Sequence, residues 1–518
     1  MKKTLALLLA LCMALSLAAC GSGSSAPAAS GDSAPAASGD SAPAVRDSLI
    51  YSVAADNSTF DPMLSMSIGV IMNFQVFECL VREESDGTLN PGLAESWTMG
   101  DDNLSITFKI RENVKFHNGD TLTAEDVAFS LNRAIAGSDL DAASYMIEAV
   151  VDDDTHVTLK LNSVYSDILS ALSVANMAIV SKRAVEELGD SFGSNPVGTG
   201  AYMLESWTPG VSMVFKAFPD YWRGEAAIKD VTVLVQPNPS TAAIALENGE
   251  VDVVHALNVV DMDHLDSLPN VTVYRKNSVS TITLYLNTVG GGTVDPRVRQ
   301  AISLCIDRQE ICDGALSGSE PAATIISPSM DYHNDSFTVA EPDVEAAKAL
   351  LAEAGYADGL TIKYATVAEA PDLVQIGVLL QGQLAKAGIT LEIDTKEYST
   401  WFQDVQFNHD FDVTCAATTA NASATNAILS NILVTGAVNN LGQYHNDRVE
   451  ALLKQAIASF DDAEKQACYD EICQIMLEEY PVIALATSLT GLGANSALQG
   501  VVMPKVGSMY FYDWSWAN

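Results

Sequence analysis

The 34 residues from Val413 to Asn446, VTCAATTANASATNAILSNILVTGAVNNLGQYHN, contain no Asp, Glu, Lys or Arg. At the chain's 18% charged content, a stretch of that length should carry about six. Positive charge is scarce throughout: 27 Lys and Arg stand against 66 Asp and Glu, for a net charge of −39. Phosphate contacts need clustered basic side chains, so no nucleic-acid partner is expected. The eight cysteines form no CxxC and no Cys/His spacing of a zinc site. Cys305 and Cys312 are too far apart along one helix for an easy bridge. No histidine pair forms HExxH, and VDDDTH (Val151 to His156) lacks the spacing of a calcium loop. Gly198 to Gly200 and Gly290 to Gly292 lack the Lys-Ser/Thr that completes a phosphate cradle, so they read as turns. No resident cofactor or metal site is read. Gly189-Asp190-Ser191-Phe192-Gly193 matches GxSxG. A nucleophile elbow needs a strand before it and a helix after it. Here helix-like SKRAVEEL precedes and the loop SNPVGTG follows, so a hydrolase using Ser191 is the disfavoured alternative.

The 48% hydrophobic content is ample for sizeable cores, and 518 residues suggest two to four domains. The chain starts with Lys2 and Lys3, an apolar run too short to span a bilayer, and Leu17-Ala18-Ala19-Cys20. This looks like a bacterial lipoprotein signal, with 1–19 removed and Cys20 acylated. The stretch to residue 46, including repeated SAPAASGD, is rich in Ala, Pro, Ser and Gly. It cannot bury a core and reads as a flexible tether. No later run reaches 18 apolar residues, so no further membrane span is expected. The folded body is placed outside the membrane, held to it by Cys20.

Beyond Arg46, strand and helix signals alternate. ITFKI places Ile106, Phe108 and Ile110 on one face, and VKF after Glu112-Asn113 reads as the return strand of a hairpin. Thr123 to Asp126 form a capping-box pattern ahead of a stripe of Val127, Leu131, Ala134 and Ile135. Asp295 is a predicted N-cap followed by Pro296. Two helices are predicted to stop at Gly355 and Gly388, each followed by a strand, LTIKYAT and TLEIDT. Helix, glycine, strand, repeated, is the grammar of an α/β layer with a substantially parallel sheet. Such sheets bind ligands beyond the carboxyl ends of their strands.

From Asp47 to Asn518, ordered motifs resemble the extracellular solute-binding proteins of ABC importers, family 5, the peptide/nickel-type class. They include FDPM with VFECLV, the long stretch from Pro91 to Arg133, NPVGTGAYMLESWTPG, FPDYWRG, ALENGEVDVV, VRQAISLCIDRQEI, AKALLAEAGY and LAKAGITLEI. The resemblance implies a two-lobe periplasmic-binding-protein-like α/β fold of type II, with an extra inserted subdomain and a hinge-closing cleft. It implies lobe I over 47–78, the insertion over 79–195, lobe I again over 196–283, lobe II over 284–486 and a return to lobe I over 487–518. The chain would cross the hinge near Thr281–Asn287 and Ile483–Ser488. Trp97, Trp207 and Trp222, in motifs shared across members with different ligands, are read as packing residues.

In peptide-binding relatives an acidic residue nine positions after the Asp of an FD motif pairs with the peptide's ammonium. Counting from Asp412, that position is Asn421, and the often basic position near the strand end is Cys415. Asn both donates and accepts but brings no compensating charge. The resemblance implies that Trp401, Thr418, Thr419 and Asn421 line lobe II's side of the cleft, with Tyr398 and Asn426 as weaker candidates. For Thr418 and Thr419 the alternative is an internally bonded hydroxyl, and for Asn426 a helix N-cap. On lobe I the candidates are Asp56, Asn57 and Ser65. A non-enzymatic, monomeric lipoprotein receptor is expected, delivering a small solute to an ABC permease. The solute is a peptide or modified peptide, with nickel, a metal chelate or another small polar solute as the alternative.

Overall fold

The computed structural model describes residues 46–64, 68–137, 141–418, 424–504 and 508–517. The leader, Cys20, the tether, Ser65, Thr419 and Asn421 lie outside the described residues. The rest is built on one mixed sheet of eleven strands. In chain order these are β1 (Ser48–Val53), β2 (Tyr202–Thr208), β3 (Ser212–Ala217), β4 (Asp230–Val235), β5 (Val253–His255), β6 (Val271–Leu286), β7 (Glu320–Pro321), β8 (Leu360–Val367), β9 (Ile389–Lys396), β10 (Val413–Ala417) and β11 (Val482–Asn495). Their spatial order is β9-β8-β10-β6-β11-β5-β1-β4-β3-β2, with β7 beside β11.

Two long antiparallel strands, β6 and β11, join the halves. Val271–Asn277 pair with Leu489–Asn495, and Thr281–Tyr285 pair with Val482–Thr487. The register breaks between Asn277 and Thr281, opposite the Thr487–Leu489 step. One half packs on a core that includes Tyr51, Phe60, Phe215 and Phe511; the other on cores that include Leu286, Ile302, Tyr364 and Trp401.

Local sequence explains many element ends. Helix α1 is Ile68–Val76 and α2 is Ala124–Gly137. The Thr123 amide and hydroxyl donate to Asp126 Oδ2 (3.0 and 2.6 Å), and the Asp126 amide donates to Thr123 Oγ1 (3.2 Å), closing the capping box. Beyond residue 284 follow α3 (Pro296–Cys305), α4 (Arg308–Ala315), α5 (Val344–Glu353), α6 (Pro371–Ala385), α7 (Tyr398–Phe402), α8 (Thr425–Leu433), α9 (Asp447–Ala458) and α10 (Asp462–Glu479). Asp295 caps α3, accepting from the Arg297 amide at 2.9 Å. Gly355 and Gly388 adopt positive φ (93° and 86°) after α5 and α6. The strands they release, β8 and β9, pair in parallel from Leu360↔Ile389 to Val367↔Lys396.

One local expectation is corrected. Ser105–Ile110 is a strand, but its partners are Ala94–Met99 and His156–Leu161, not Val114–Phe116. Asn113 has φ 61° and turns the chain away. Val114 and Phe116 fold instead against Asp120–Leu122, through Leu122 N to Val114 O (2.9 Å) and Phe116 N to Asp120 O (2.8 Å). With Met146–Asp153 the three named strands form a separate four-stranded sheet whose core includes Ile106, Phe108 and Leu159.

The glycine run at 290–292 is a turn with a specific reason. The Gly292 amide donates to Asp412 Oδ1 (2.5 Å) and the Lys363 amide to Oδ2 (2.7 Å). A Cβ on Gly291 (φ 75°) would meet Asp412 Oδ1 at 1.9 Å, so only glycine fits. The Asp of the FD motif thus anchors the base of β10.

Candidate functional site

Strand directions locate the cleft. β1 runs parallel to β5, and β5 runs antiparallel to β11, which carries the carboxyl end of β1 toward the register break. β10 runs antiparallel to β6 and ends beside it: Ala417 pairs with Ile282, and the Thr418 amide donates to Thr281 O at 2.9 Å. Strand carboxyl ends from both halves therefore converge on one crossing. That is where open α/β sheets take ligands.

On the lobe II side Thr418 is buried, and its hydroxyl accepts from the Thr281 amide at 2.8 Å. It fastens β10 to the crossing strand. Trp401 is also buried; its Nε1 donates to Thr414 Oγ1 (3.2 Å), which donates on to Ala365 O (2.8 Å). The indole forms a rigid floor joining α7 to β8 and β10. Tyr398 lies over it with ring centroids 6.1 Å apart, and it stacks on Phe402 at 6.0 Å. Tyr398 (55% exposed) and Phe402 (38%) present aromatic surface to solvent next to that floor. Cys415 is core, and burial pushes its thiol up to about 12, so it supplies no charge.

Asn426 is not the cap of α8, because Ala424 occupies that position. It sits in the first turn, buried, with Nδ2 donating to Leu453 O at 2.9 Å. Asn440 does similar work, donating to Val434 O and Tyr444 O (3.1 and 2.7 Å) and accepting from the Tyr444 amide. Asn446 caps α9. Much of the neutral stretch is therefore interior, and its amides bond backbone where a charge would be desolvated without compensation.

On the lobe I side Asp56 holds the hairpin of β2 and β3. Its carboxylate accepts from Trp207 Nε1 (3.1 Å), the Gly210 amide (2.6 Å) and the Asn57 amide (2.8 Å). Asn57 is 3% exposed and its Nδ2 has no protein acceptor. Asn73, in α1, is 1% exposed, and neither of its amide atoms has a partner. Sequence reasoning passed over Asn73; the available signal was a lone Asn amid IGVIMNFQV. Buried amides without partners are uncommon and mark places where water or ligand completes the bonding.

Other sequence features resolve as scaffold. Glu78 of VFECLV accepts from Tyr221 OH (2.8 Å), Trp222 Nε1 (3.0 Å) and Thr199 Oγ1 (2.9 Å), and burial raises its pKa. Ser191 lies exposed in a 3₁₀ segment, Gly189–Ser194, directly after a helix, which is not the strand-turn-helix of an elbow. Among the described residues no group of His, Cys, Asp or Glu is placed to hold a metal, and no helix is long and apolar enough to cross a membrane.

The halves also meet away from the crossing. Lys465 in α10 pairs with Asp167 of the 79–195 segment at 2.7 Å, the two side chains only 7% and 18% exposed. The Ser166 amide donates to Ile457 O (2.8 Å), and Ile457 joins the core of the four-stranded unit.

The chain is 25% identical over 504 residues to heme-binding protein A of Haemophilus influenzae, covering 90% of this chain and 92% of that protein. It is 26% identical over 440 residues to the nickel-binding protein NikA of Staphylococcus aureus (84% and 88%). It is 26% identical over 484 residues to the glutathione-binding protein GsiB of Escherichia coli (89% and 93%). Its fold matches HbpA2 from Haemophilus parasuis with a TM-score of 0.83 at 23% identity, covering 91% of this chain and all of that one. It matches DppA from Helicobacter pylori in complex with the peptide STSA with a TM-score of 0.79 at 24% identity (92% and 99%). Both neighbours carry the two-lobe architecture built here around the β6–β11 crossing. The profile described as bacterial extracellular solute-binding proteins, family 5 Middle, matches residues 88–440, most of the folded body, and the chain belongs to that family.

Proposed function

We propose that the protein is a membrane-tethered receptor that captures a peptide or modified peptide between its lobes and delivers it to an ABC transporter permease. The observation that carries this reading is the convergence of β1 and β10 carboxyl ends on the single β6–β11 crossing. A ligand held there touches both lobes, so its binding favours closure. Family membership and the peptide complexes among the structural neighbours support the ligand class. The lobe boundaries implied by the resemblance are part of the proposal, as are Cys20 as the lipid anchor, the extracytoplasmic placement and a monomeric state. So is the absence of catalysis.

Trp401 supplies the floor and Tyr398 and Phe402 the aromatic wall, which suits apolar side chains. Asn57 is the lobe I donor. Thr419 follows Thr418 directly and Asn421 stands two residues beyond it, where it replaces the carboxylate that would pair with a free peptide N-terminus. A buried ammonium without a countercharge is disfavoured, so the ligand's amino end is masked or left in water. Thermal-shift assays with matched peptides bearing free or acetylated N-termini test this. The expected result is equal or greater stabilisation by the acetylated series. Stabilisation by free-amine peptides alone, lost in Asn421→Ala, overturns the masked-terminus reading. Stabilisation by nickel or a chelate, with no response to peptides, overturns the peptide class.

A further inference from the structure

The β6–β11 crossing is not held by its own ladder throughout. Asn277 pairs with Leu489 and Thr281 with Thr487, so Ser278, Val279 and Ser280 of β6 stand against Ser488 of β11. Extra residues on one strand interrupt the ladder and bend it. The backbone at the break still needs partners. The Ser280 amide finds one locally, donating to Ser278 Oγ at 3.0 Å. The carbonyls of Asn277 and Ser278 accept from a distant segment, residues 318–330.

That segment grips both crossing strands. β7 pairs with β11, Glu320↔Thr487 and Pro321↔Ala486, and the Ala322 amide donates to Leu485 O at 3.1 Å. β6 occupies the opposite edge of β11 at the same residues, Thr281↔Thr487 and Ile282↔Ala486. The chain then passes from one edge of β11 to the other. Ser327 Oγ donates to Ser278 O at 2.5 Å, and Ser329 Oγ donates to Asn277 O. Thr281 Oγ1 donates back to Ile325 O at 3.0 Å. Ser327 is 1% exposed, and Thr281, Ile325 and Ile326 are buried as well. Water competes poorly for hydrogen bonds in such surroundings. The segment also starts against the chain before residue 284. Gly318 (φ 79°) approaches Val259, the first residue of the helix Val259–Asp266, and a Cβ there would meet Val259 Cγ2 at 2.4 Å.

Thr281 is the joint between this segment and the end of β10. Its amide donates to Thr418 Oγ1 at 2.8 Å and its carbonyl accepts from the Thr418 amide at 2.9 Å, while its hydroxyl holds Ile325 O. Hinges are short runs that absorb the change in φ and ψ. Residues 278–280 are such a run, and side-chain hydroxyls, more than the strand ladder, decide its shape.

We propose that residues 318–330 are a hinge brace, and that Thr281 is the positioning residue that ties the end of β10 to it. The brace sets the angle between the two halves of the empty chain. A ligand at the end of β10 pulls on the same threonine, so binding and hinge angle share one joint. The use of the brace in closure rests on the receptor reading; its hold on the crossing does not.

The test compares Thr281→Val, which keeps the shape and removes the hydroxyl, with Thr281→Ser, which keeps the hydroxyl. Spin labels on Glu205→Cys and Glu392→Cys, exposed positions on the outermost strands β2 and β9, read the distance between the halves by double electron–electron resonance. The native cysteines among the described residues are buried, and the chain without added cysteines is the labelling blank. Without ligand, Thr281→Val is expected to shift or widen the distance by about 3 Å or more. Amide exchange at 278–280 is expected to quicken at least about tenfold. Thr281→Ser is expected to restore both. Ser329→Ala removes one half-buried link, is expected to give a smaller change of the same kind, and decides the matter if Thr281→Val does not fold. Unchanged distances in the variants that fold, Thr281→Ser as disruptive as Thr281→Val, or faster exchange throughout the chain would each overturn the proposal. Failure of every peptide to move the distance in the chain with Thr281 intact would instead count against the receptor reading, since the brace is judged on the empty chain.

Discussion

Before residue 284 the buried charged side chains, among the described residues, are acids: Asp61, Glu83, Asp126 and Asp252. After it they are bases: Arg299, Arg308 and Lys465. Overall composition does not produce this split, since acids outnumber Lys and Arg 66 to 27 in the whole chain. Which backbone ends point inward does. Asp126 sits in the first turn of α2 and takes the Thr123 and Lys182 amides at 3.0 and 2.9 Å. Asp252 takes the Ile50 amide at 2.8 Å, and Asp61 takes both ends of the Arg133 fork. Arg299 sits where chain segments end and offers its donors to three carbonyls. A buried charge survives where the fold supplies the complementary partner. Arg308 makes a hydrogen bond to Ala484 O from Nε.

The comparison can be broken in several places. The largest loss is expected for Asp126→Ala, which strands three donors, the Thr123 amide, its hydroxyl and the Lys182 amide. About 3 kcal/mol of stability should disappear in urea unfolding; a loss near zero would mean the acids before residue 284 are incidental. Arg299→Met should cost about 2 kcal/mol in the same assay, since three carbonyls, that of Thr293 buried, lose their donor. Asp167→Ala should cost about 1 kcal/mol, because Lys465 can reach water if the halves part there. Small-angle scattering should then show a larger radius of gyration, and Asp167→Leu with Lys465→Met should restore the compact form. Arg308→Met should change stability by less than about 1 kcal/mol, since it removes a single hydrogen bond, to Ala484 O, and keeps the apolar stem. A loss as large as that of Arg299→Met would mean that Arg308 holds the fold as strongly as Arg299.

The smallest effect at neutral pH concerns His117 and His255, both before residue 284. Desolvation lowers each to about 4. The unfolded chain takes up these protons near pH 6.5 while the folded chain does not. The stability they contribute is full above about 6.5 and lost progressively as pH falls toward 4. His117→Gln and His255→Gln should each flatten that slope in acid titrations followed by circular dichroism and leave pH 7.5 stability nearly unchanged.

Several features were legible in sequence because they are encoded within a few residues. The capping box at Thr123, the cap at Asp295 and the helix stops at Gly355 and Gly388 require only local geometry. The parallel pairing of β8 and β9 follows from helix-glycine-strand grammar. The family could be identified from ordered motifs. The site was less legible. Thr418 and Asn426 carry polar groups suited to a ligand, yet they bond Thr281 and Leu453. Asp56 likewise holds Trp207 and Gly210. The neutral composition of 413–446 is not explained by the Asn421 position alone. Burial of residues such as Thr414, Asn440 and Tyr444 accounts for much of it.

By itself the sequence determined the family, the excess of acid and the starts and stops of many helices. Tertiary structure alone decided which polar groups are satisfied. Thr281 meets Thr418 across 137 positions, and Arg308 meets Ala484 across 176. A donor's need for an acceptor is written in its own residue type, but the acceptor arrives through strand order and register, which no local pattern specifies. That is why Asn57 and Asn73 emerged as unpartnered amides only once the sheet had been assembled.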